Sequence, residues 1–206
     1  MLIDSHTHIG TISQFHLPEN ILLDSLEKYE VDLAIVSNLE GNEFNSERKF
    51  INPQISQFDV NEKIVKLKRR CPNRIKGLYW IKVHTEEFNP SIENYLIQNR
   101  DTFCGFKIHP FHSHCSPLAE RFQPWYVMAE RLNFPMIVHS SDDEYAHPEL
   151  LYRTSQKYPN VTFVMVHLGL GTDNREAINY VSKQPNLFGD TTWVNADNAL
   201  YAVKQW

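Results

Sequence analysis

Two histidines stand two residues apart near the start of the chain, in Ile3-Asp4-Ser5-His6-Thr7-His8. In a strand, residues two apart share a face, so both imidazoles point the same way at the strand's C-terminal end. Two neutral imidazoles so placed suit one divalent cation. His139 ends the apolar run Met136-Ile137-Val138, and His167 ends Val164-Met165-Val166. Packing gives a core strand no reason to finish in histidine, although a backbone carbonyl could satisfy either ring alone. Four histidines at the ends of three strands predict a metal site at one mouth of a barrel.

Further polar residues fall in comparable places. In Gly105-Phe106-Lys107-Ile108-His109-Pro110, Phe106 and Ile108 are expected to face helices, which turns Lys107 and His109 inward. A buried ammonium is costly unless it is paired, neutralised or modified. Lys107 is therefore expected to pair with a carboxylate such as Asp4, or to carry a carbamate. Asp190 ends Phe188-Gly189; it could hold substrate, orient a histidine or cap the following helix. His112 and His114 repeat the two-residue spacing after Pro110, where a loop lacks strand alternation, so substrate contact suits His112 better than ligation. His16, His84 and His147 have no such context and read as surface residues.

The elements that must position these groups alternate along the chain. Strand patterns cover Leu2–His8, Val31–Ser37, Ile75–Ile81, Phe103–His109, Pro135–Ser140, Val161–His167 and Leu187–Thr192. Their starts are roughly 25–30 residues apart, with one gap of about 44, which is the spacing of strand–helix–strand units in a parallel sheet. Helices are expected after Pro18-Glu19-Asn20, after Asp59 or Asn61, after Asn89-Pro90-Ser91, from Pro124, from Pro148, after Asp173 or Asn174, and over Ala196–Trp206. Caps and prolines fall where helix starts accept them. The segment Asn38–Phe58 has no clear period. It reads as a lid or substrate loop, or as an excursion packed by Phe44, Phe50 and Phe58.

The 206 residues are ordinary globular material, with 42% hydrophobic and 22% charged side chains, enough for one core over residues 1–206. Twenty Lys and Arg against 25 Asp and Glu give a net charge of −5, which argues against a nucleic-acid partner. The basic run Lys66-Leu67-Lys68-Arg69-Arg70 reads as a solvated helix face. No apolar run suits a membrane span, and the first residues lack the features of a signal peptide. Cys71, Cys104 and Cys115 are three in number and lack C-x-x-C spacing. Disulfides are not expected, and the cytoplasm is the default compartment.

These residues together resemble the amidohydrolase superfamily, in its amidohydrolase-related branch. The matching pieces are Ile3 to Gly10, Gly105 to Pro110, Pro135 to His139, Val166-His167-Leu168-Gly169 and Gly189-Asp190-Thr191-Thr192, in family order. The resemblance implies an α/β fold, a distorted (β/α)8 barrel of the TIM type. It implies one divalent ion, zinc with manganese or iron as alternatives, on His6, His8 and His139. His167 matches a histidine that binds a second metal in binuclear members and contacts the reacting water or substrate in mononuclear ones. Lys107 falls where some members carry a carboxylated lysine bridging two metals, here the lesser alternative.

The family also has an aspartate after its eighth strand, serving as ligand and general base. Seven strand–helix units are countable, and no such residue precedes Trp206. The resemblance therefore implies a barrel lacking its eighth strand in this sequence, and a native polypeptide that continues. The activity expected is hydrolysis of an amide, lactone or ester in a small organic molecule. His167, Lys107 and His109 would serve in catalysis, and Asp190 and His112 in substrate contact. The rivals are a non-oxidative decarboxylase, marked by Arg121 or His112 facing the metal, and a barrel fragment without turnover. Self-association as a homodimer is left open.

Overall fold

The strand bearing His6 and His8 runs further than its apolar pattern. In the computed structural model, which describes residues 1–12, 15–51 and 55–206, β1 spans Ile3–Ile12 and turns back into a short antiparallel strand, β2 (Phe15–Leu17). Strand β2 has only three residues, too few to show a period in the sequence. The chain forms two compact units, Met1–Lys107 and Ile108–Trp206.

The first unit continues with α1 (Glu19–Lys28), β3 (Leu33–Asn38), α2 (Gln57–Arg70), β4 (Ile75–Trp80), α3 (Ser91–Gln98) and β5 (Phe103–Ile108), whose last residue belongs to the second unit. Strands β1, β3, β4 and β5 pair in parallel in that order. Each crossover after β3 carries a helix, as parallel pairing requires. Tyr79 pairs with Phe106 and Trp80 with Lys107. Tyr79 lies 6.2 Å from Phe106, ring to ring, and its hydroxyl accepts from Gln57 Nε2 of α2 at 3.3 Å. That row faces the helices, so Trp80 and Lys107 face the other way.

Helix α2 starts earlier than expected. Ser56, not Asp59 or Asn61, is its cap: Ser56 Oγ accepts from Asp59 N at 3.0 Å and donates to Asp59 Oδ2 at 2.7 Å. The hydroxyl thus caps the helix start through Asp59 N and is itself held by the Asp59 carboxylate. Asn61 lies within the helix, fully buried. Its amide donates to Trp80 O at 2.9 Å and accepts from Trp80 N at 2.7 Å, closing the end of β4. The aromatic segment between β3 and α2 is packed by its own side chains: Phe44 lies 5.3 Å from Phe50 and 4.7 Å from His84. Phe58 belongs to α2 itself. Asn52, Pro53 and Gln54 lie outside the described residues.

The second unit contains α4 (Pro110–Ser113), α5 (Gln123–Leu132), β6 (Met136–Ser141), α6 (Pro148–Lys157), β7 (Phe163–Leu170), α7 (Arg175–Lys183), β8 (Leu187–Gly189) and α8 (Ala196–Gln205). Strands β6, β7 and β8 are parallel neighbours in that order. Phe163 pairs with Met136 and meets Tyr126 of α5 at 5.5 Å, so Met136, Val138, Phe163 and Met165 form the helix-facing row. Ile137 and Val164, then His139 and Val166, form the opposite row.

Parallel strands β1, β3, β4 and β5 of the first unit, with β6, β7 and β8 of the second, are the seven the sequence pattern predicts. No helix among the described residues is long and apolar enough to cross a membrane. The described cysteines are all free thiols.

Candidate metal centre

In the first unit, His6 and His8 meet at their Nε2 atoms, 3.1 Å apart. The strand is not regular here. Pairing with β3 slips between Asp4 and Thr7, so β1 holds an extra residue around His6, and Asp4 Oδ1 accepts from His6 N at 3.1 Å. This is a β-bulge, and its Asp4 turn aims His6 at its neighbour. His8 Nδ1 is 2.8 Å from Ser37 Oγ, a buried hydroxyl at the end of β3. The hydroxyl holds the ring by one nitrogen and turns the other toward His6. Such outer contacts orient histidine ligands in metal sites. Trp80 lies edge-on to His8 at 6.5 Å.

Lys107 Nζ lies 3.4 Å from His6 Nε2 and is buried. Asp4, one partner expected for it, is exposed and spends its carboxylate on the bulge.

The donor set fits a cation. Two nitrogens 3.1 Å apart, each ~2.1 Å from one ion, subtend an angle of roughly 95° there, between octahedral and tetrahedral values. Without an ion, the pair can share one proton at most, because two imidazolium rings in contact repel. A charged Lys107 beside them would oppose a divalent ion. The lysine is compatible with a bound ion when neutral or carboxylated.

The second unit gathers His109, His112, His139 and His167. His109 stacks on His139 at 3.8 Å, His112 lies 4.3 Å from His109, and His139 lies 5.1 Å from His167. His109 is not the last residue of a strand, as expected. It caps α4, and His112 lies in that helical turn rather than in a loop. His114 leaves the group and stacks on Tyr145 at 5.4 Å. His147 caps α6, and His16 is exposed and bonded to Thr11 Oγ1 at 2.9 Å.

His167 reaches this cluster by an unexpected route. Its strand partner position is offset: His139 pairs with Val166, and the next register pair is Ser141 with Leu170. His167, Leu168 and Gly169 form a bulge, with φ of +65°, +47° and +81°. Left-handed backbone costs about 1–2 kcal/mol for each non-glycine residue. Gly169 removes that cost at one position, and a Cβ there would stand 2.7 Å from Pro148 Cγ.

The His167 ring is then fixed from the next strand end. Its Nδ1 lies 3.0 Å from the carbonyl of Thr192. A carbonyl only accepts, so Nδ1 carries the proton and Nε2 the lone pair. Trp193 stacks on the ring at 5.1 Å and 12°. Asp190 offers a carboxylate oxygen within 4.8 Å of a ring nitrogen of His167, while Oδ1 accepts from Thr192 N at 2.7 Å. The same carboxylate that bounds the site thus shapes the turn that holds His167. The spacing of the sequence did not reveal Ser37, Thr192 or Trp193 as participants. A serine closing β3 opposite His8 was the one available sign.

The strands are mostly parallel and alternate with helices, and histidines lie at several strand ends. The amidohydrolase family model matches residues 3–206, and the chain belongs to that family. Its fold is that of TIM-barrel proteins. It is similar to an uncharacterised TIM-barrel protein of Bordetella bronchiseptica, at 13% identity, TM-score 0.65, and coverage of 98% of this chain and 80% of that one. A dihydroxybenzoic acid decarboxylase of a Polaromonas species, solved with manganese and 2-nitroresorcinol, is similar at 11% identity and TM-score 0.68, covering 99% and 82%. A probable 2-pyrone-4,6-dicarboxylic acid hydrolase of Acinetobacter baumannii, with citric acid bound, is similar at 14% identity and TM-score 0.56, covering 99% and 91%. No curated protein matches the sequence.

Proposed function

We propose that the chain is a metal-dependent hydrolase of a small organic amide, lactone or ester. The observation that carries this reading is the meeting of His6 and His8 at their Nε2 atoms, 3.1 Å apart. His6, His8 and His139 would hold one divalent ion, zinc or manganese. A bound ion of this kind lowers the pKa of a water and polarises a carbonyl. His167, with Nδ1–H given to Thr192 O, presents Nε2 to accept a proton from the attacking water and return it to the leaving group. Asp190 and His109 border the substrate. Lys107 is neutral or carboxylated, since an ammonium beside the ion is repelled; a second metal on a carbamate is the lesser alternative.

A second reading rests on His112. It joins the histidine row through His109, where it would contact the carboxylate of a substrate. In that reading the same residues serve a non-oxidative decarboxylase, and protonation of a ring carbon replaces attack by water. Arg121, the other cation considered for this role, is exposed in a turn.

The test is a substrate panel of lactones, amides, esters and hydroxylated aromatic carboxylic acids, assayed after chelation and after return of zinc or manganese. Ring opening or ester cleavage restored by metal supports the hydrolase, and carbon dioxide release supports the decarboxylase. Turnover that survives complete chelation would contradict both.

A further inference from the structure

We propose that Asn174 is a positioning residue that determines which face of β7 presents His167. The inference rests on the reading of His167 as the acid–base group of the site.

Paired residues of neighbouring strands point to the same side of a sheet, and successive residues alternate. Val166 pairs with His139, so a regular β7 would send His167 to the helix side, with Met165. Instead the His167 ring lies 5.1 Å from the His139 ring. The left-handed run at His167, Leu168 and Gly169 makes this reversal.

One side chain gathers that run. Asn174 Nδ2 lies 3.3 Å from His167 O, 2.9 Å from Leu168 O and 3.3 Å from Gly169 O. Successive carbonyls of an extended strand point in opposite directions, so a single amide cannot reach three of them. The two N–H donors of Asn174 therefore select the kinked backbone over the extended one.

The orientation of that amide is fixed. Asn198 Nδ2 donates to Asn174 Oδ1 at 3.0 Å and to Asp173 O at 2.9 Å. A flipped Asn174 would set its oxygen against three carbonyls and its nitrogen against a donor. Asn174 occupies the N-cap position of α7 yet makes no side-chain cap bond. Asp173 serves the helix start instead, accepting from Arg175 N at 3.0 Å. Both asparagines are 7% exposed, so water does not replace these bonds.

The test uses the metal-free full chain with isotope-labelled histidine. In the native protein, cross-relaxation is expected between the His139 and His167 rings and between His167 and the Trp193 indole, with His167 protonated at Nδ1. In Asn174→Ala, observed well below its melting temperature, both cross-peaks and the fixed tautomer should be lost while circular dichroism stays native. Asn198→Ala leaves the Asn174 donors but frees their orientation, and should weaken the cross-peaks several-fold. Unchanged cross-peaks and tautomer in Asn174→Ala would overturn the proposal. If that variant does not fold, unchanged spectra in Asn198→Ala overturn it. A failure of the functional reading shows differently: His167→Ala would leave turnover intact while the native spectra still show the contact.

Discussion

His139 and His167 face each other at 5.1 Å although the strand partner of His139 is Val166. The contact exists because β7 leaves the extended conformation at His167 and returns to it at Leu170. A site built this way depends on backbone that its own residues do not favour. Strain of this sort survives only where neighbouring groups over-determine it. Here Asn174 holds the carbonyls, and Ser140 Oγ donates to Val166 O at 2.6 Å and accepts from Gly169 N at 2.9 Å.

Gly169→Ala should therefore be costly. The position has φ +81°, and the added methyl would meet Pro148 Cγ at 2.7 Å and Thr172 Oγ1 at 2.8 Å. Loss of at least ~1 kcal/mol is expected in urea unfolding. An unchanged midpoint would mean that the bulge relaxes freely.

Asn61→Ala should destabilise the first unit by about 2–3 kcal/mol, because Trp80 N–H and C=O lose their partner in a dry environment. Thermal and urea unfolding would show it. Asn61→Asp keeps the acceptor and should recover part of the loss at low pH, where a protonated carboxyl can also donate.

The histidine pair on β1 and the face of Lys107 were legible in the sequence, because both depend only on a two-residue period in a strand. The two rings meet although the register of β1 slips between Asp4 and Thr7, the stretch that holds His6. The face of His167 was not legible. Its position at the end of an apolar run was visible, but regular alternation would aim it at the helices. Gly169 and Asn174 were the only signs of the kink, and neither specifies it without the fold. The start of α2 is not legible in the sequence because Asp59 and Asn61 resemble caps, whereas one supports the Ser56 cap and the other binds the end of β4. His109 and His112 could not be placed because they belong to a four-residue helical turn, too short for a period.

Ser37→Ala should weaken metal binding without abolishing it. The hydroxyl orients His8 from 2.8 Å, and loss of such a contact typically lowers affinity by about 10–100-fold. Competition titration with a chromophoric chelator measures the effect. Equal affinity in variant and native chain would show that His8 is held by packing against Trp80 alone.

Glu43 supplies a pH-dependent signature of the loop after β3. Its carboxylate accepts from Thr85 N and Thr85 Oγ1, both at 2.6 Å, and from His84 N at 3.1 Å. Burial outweighs these bonds and Lys82, and holds the carboxyl above its ordinary value of 4.5. A pKa raised on folding means the native state binds the proton more tightly than the unfolded state. The stabilisation from this group is full below pH ~4.5 and is lost as pH rises through the raised value. The stability gap, native chain minus Glu43→Gln, should shrink as pH rises from 4.5 to 7. A gap that widens over that range would reverse the sign.

The central claim is a one-ion site on His6, His8 and His139, and metal content tests it most directly. Chains reloaded with zinc or manganese, passed through gel filtration and analysed by mass spectrometry of the metal should hold about one ion per chain. His6→Ala, His8→Ala and His139→Ala should each fall well below one, and His167→Ala should stay at one. Native occupancy in His6→Ala and His8→Ala, with the chains folded, would contradict the account.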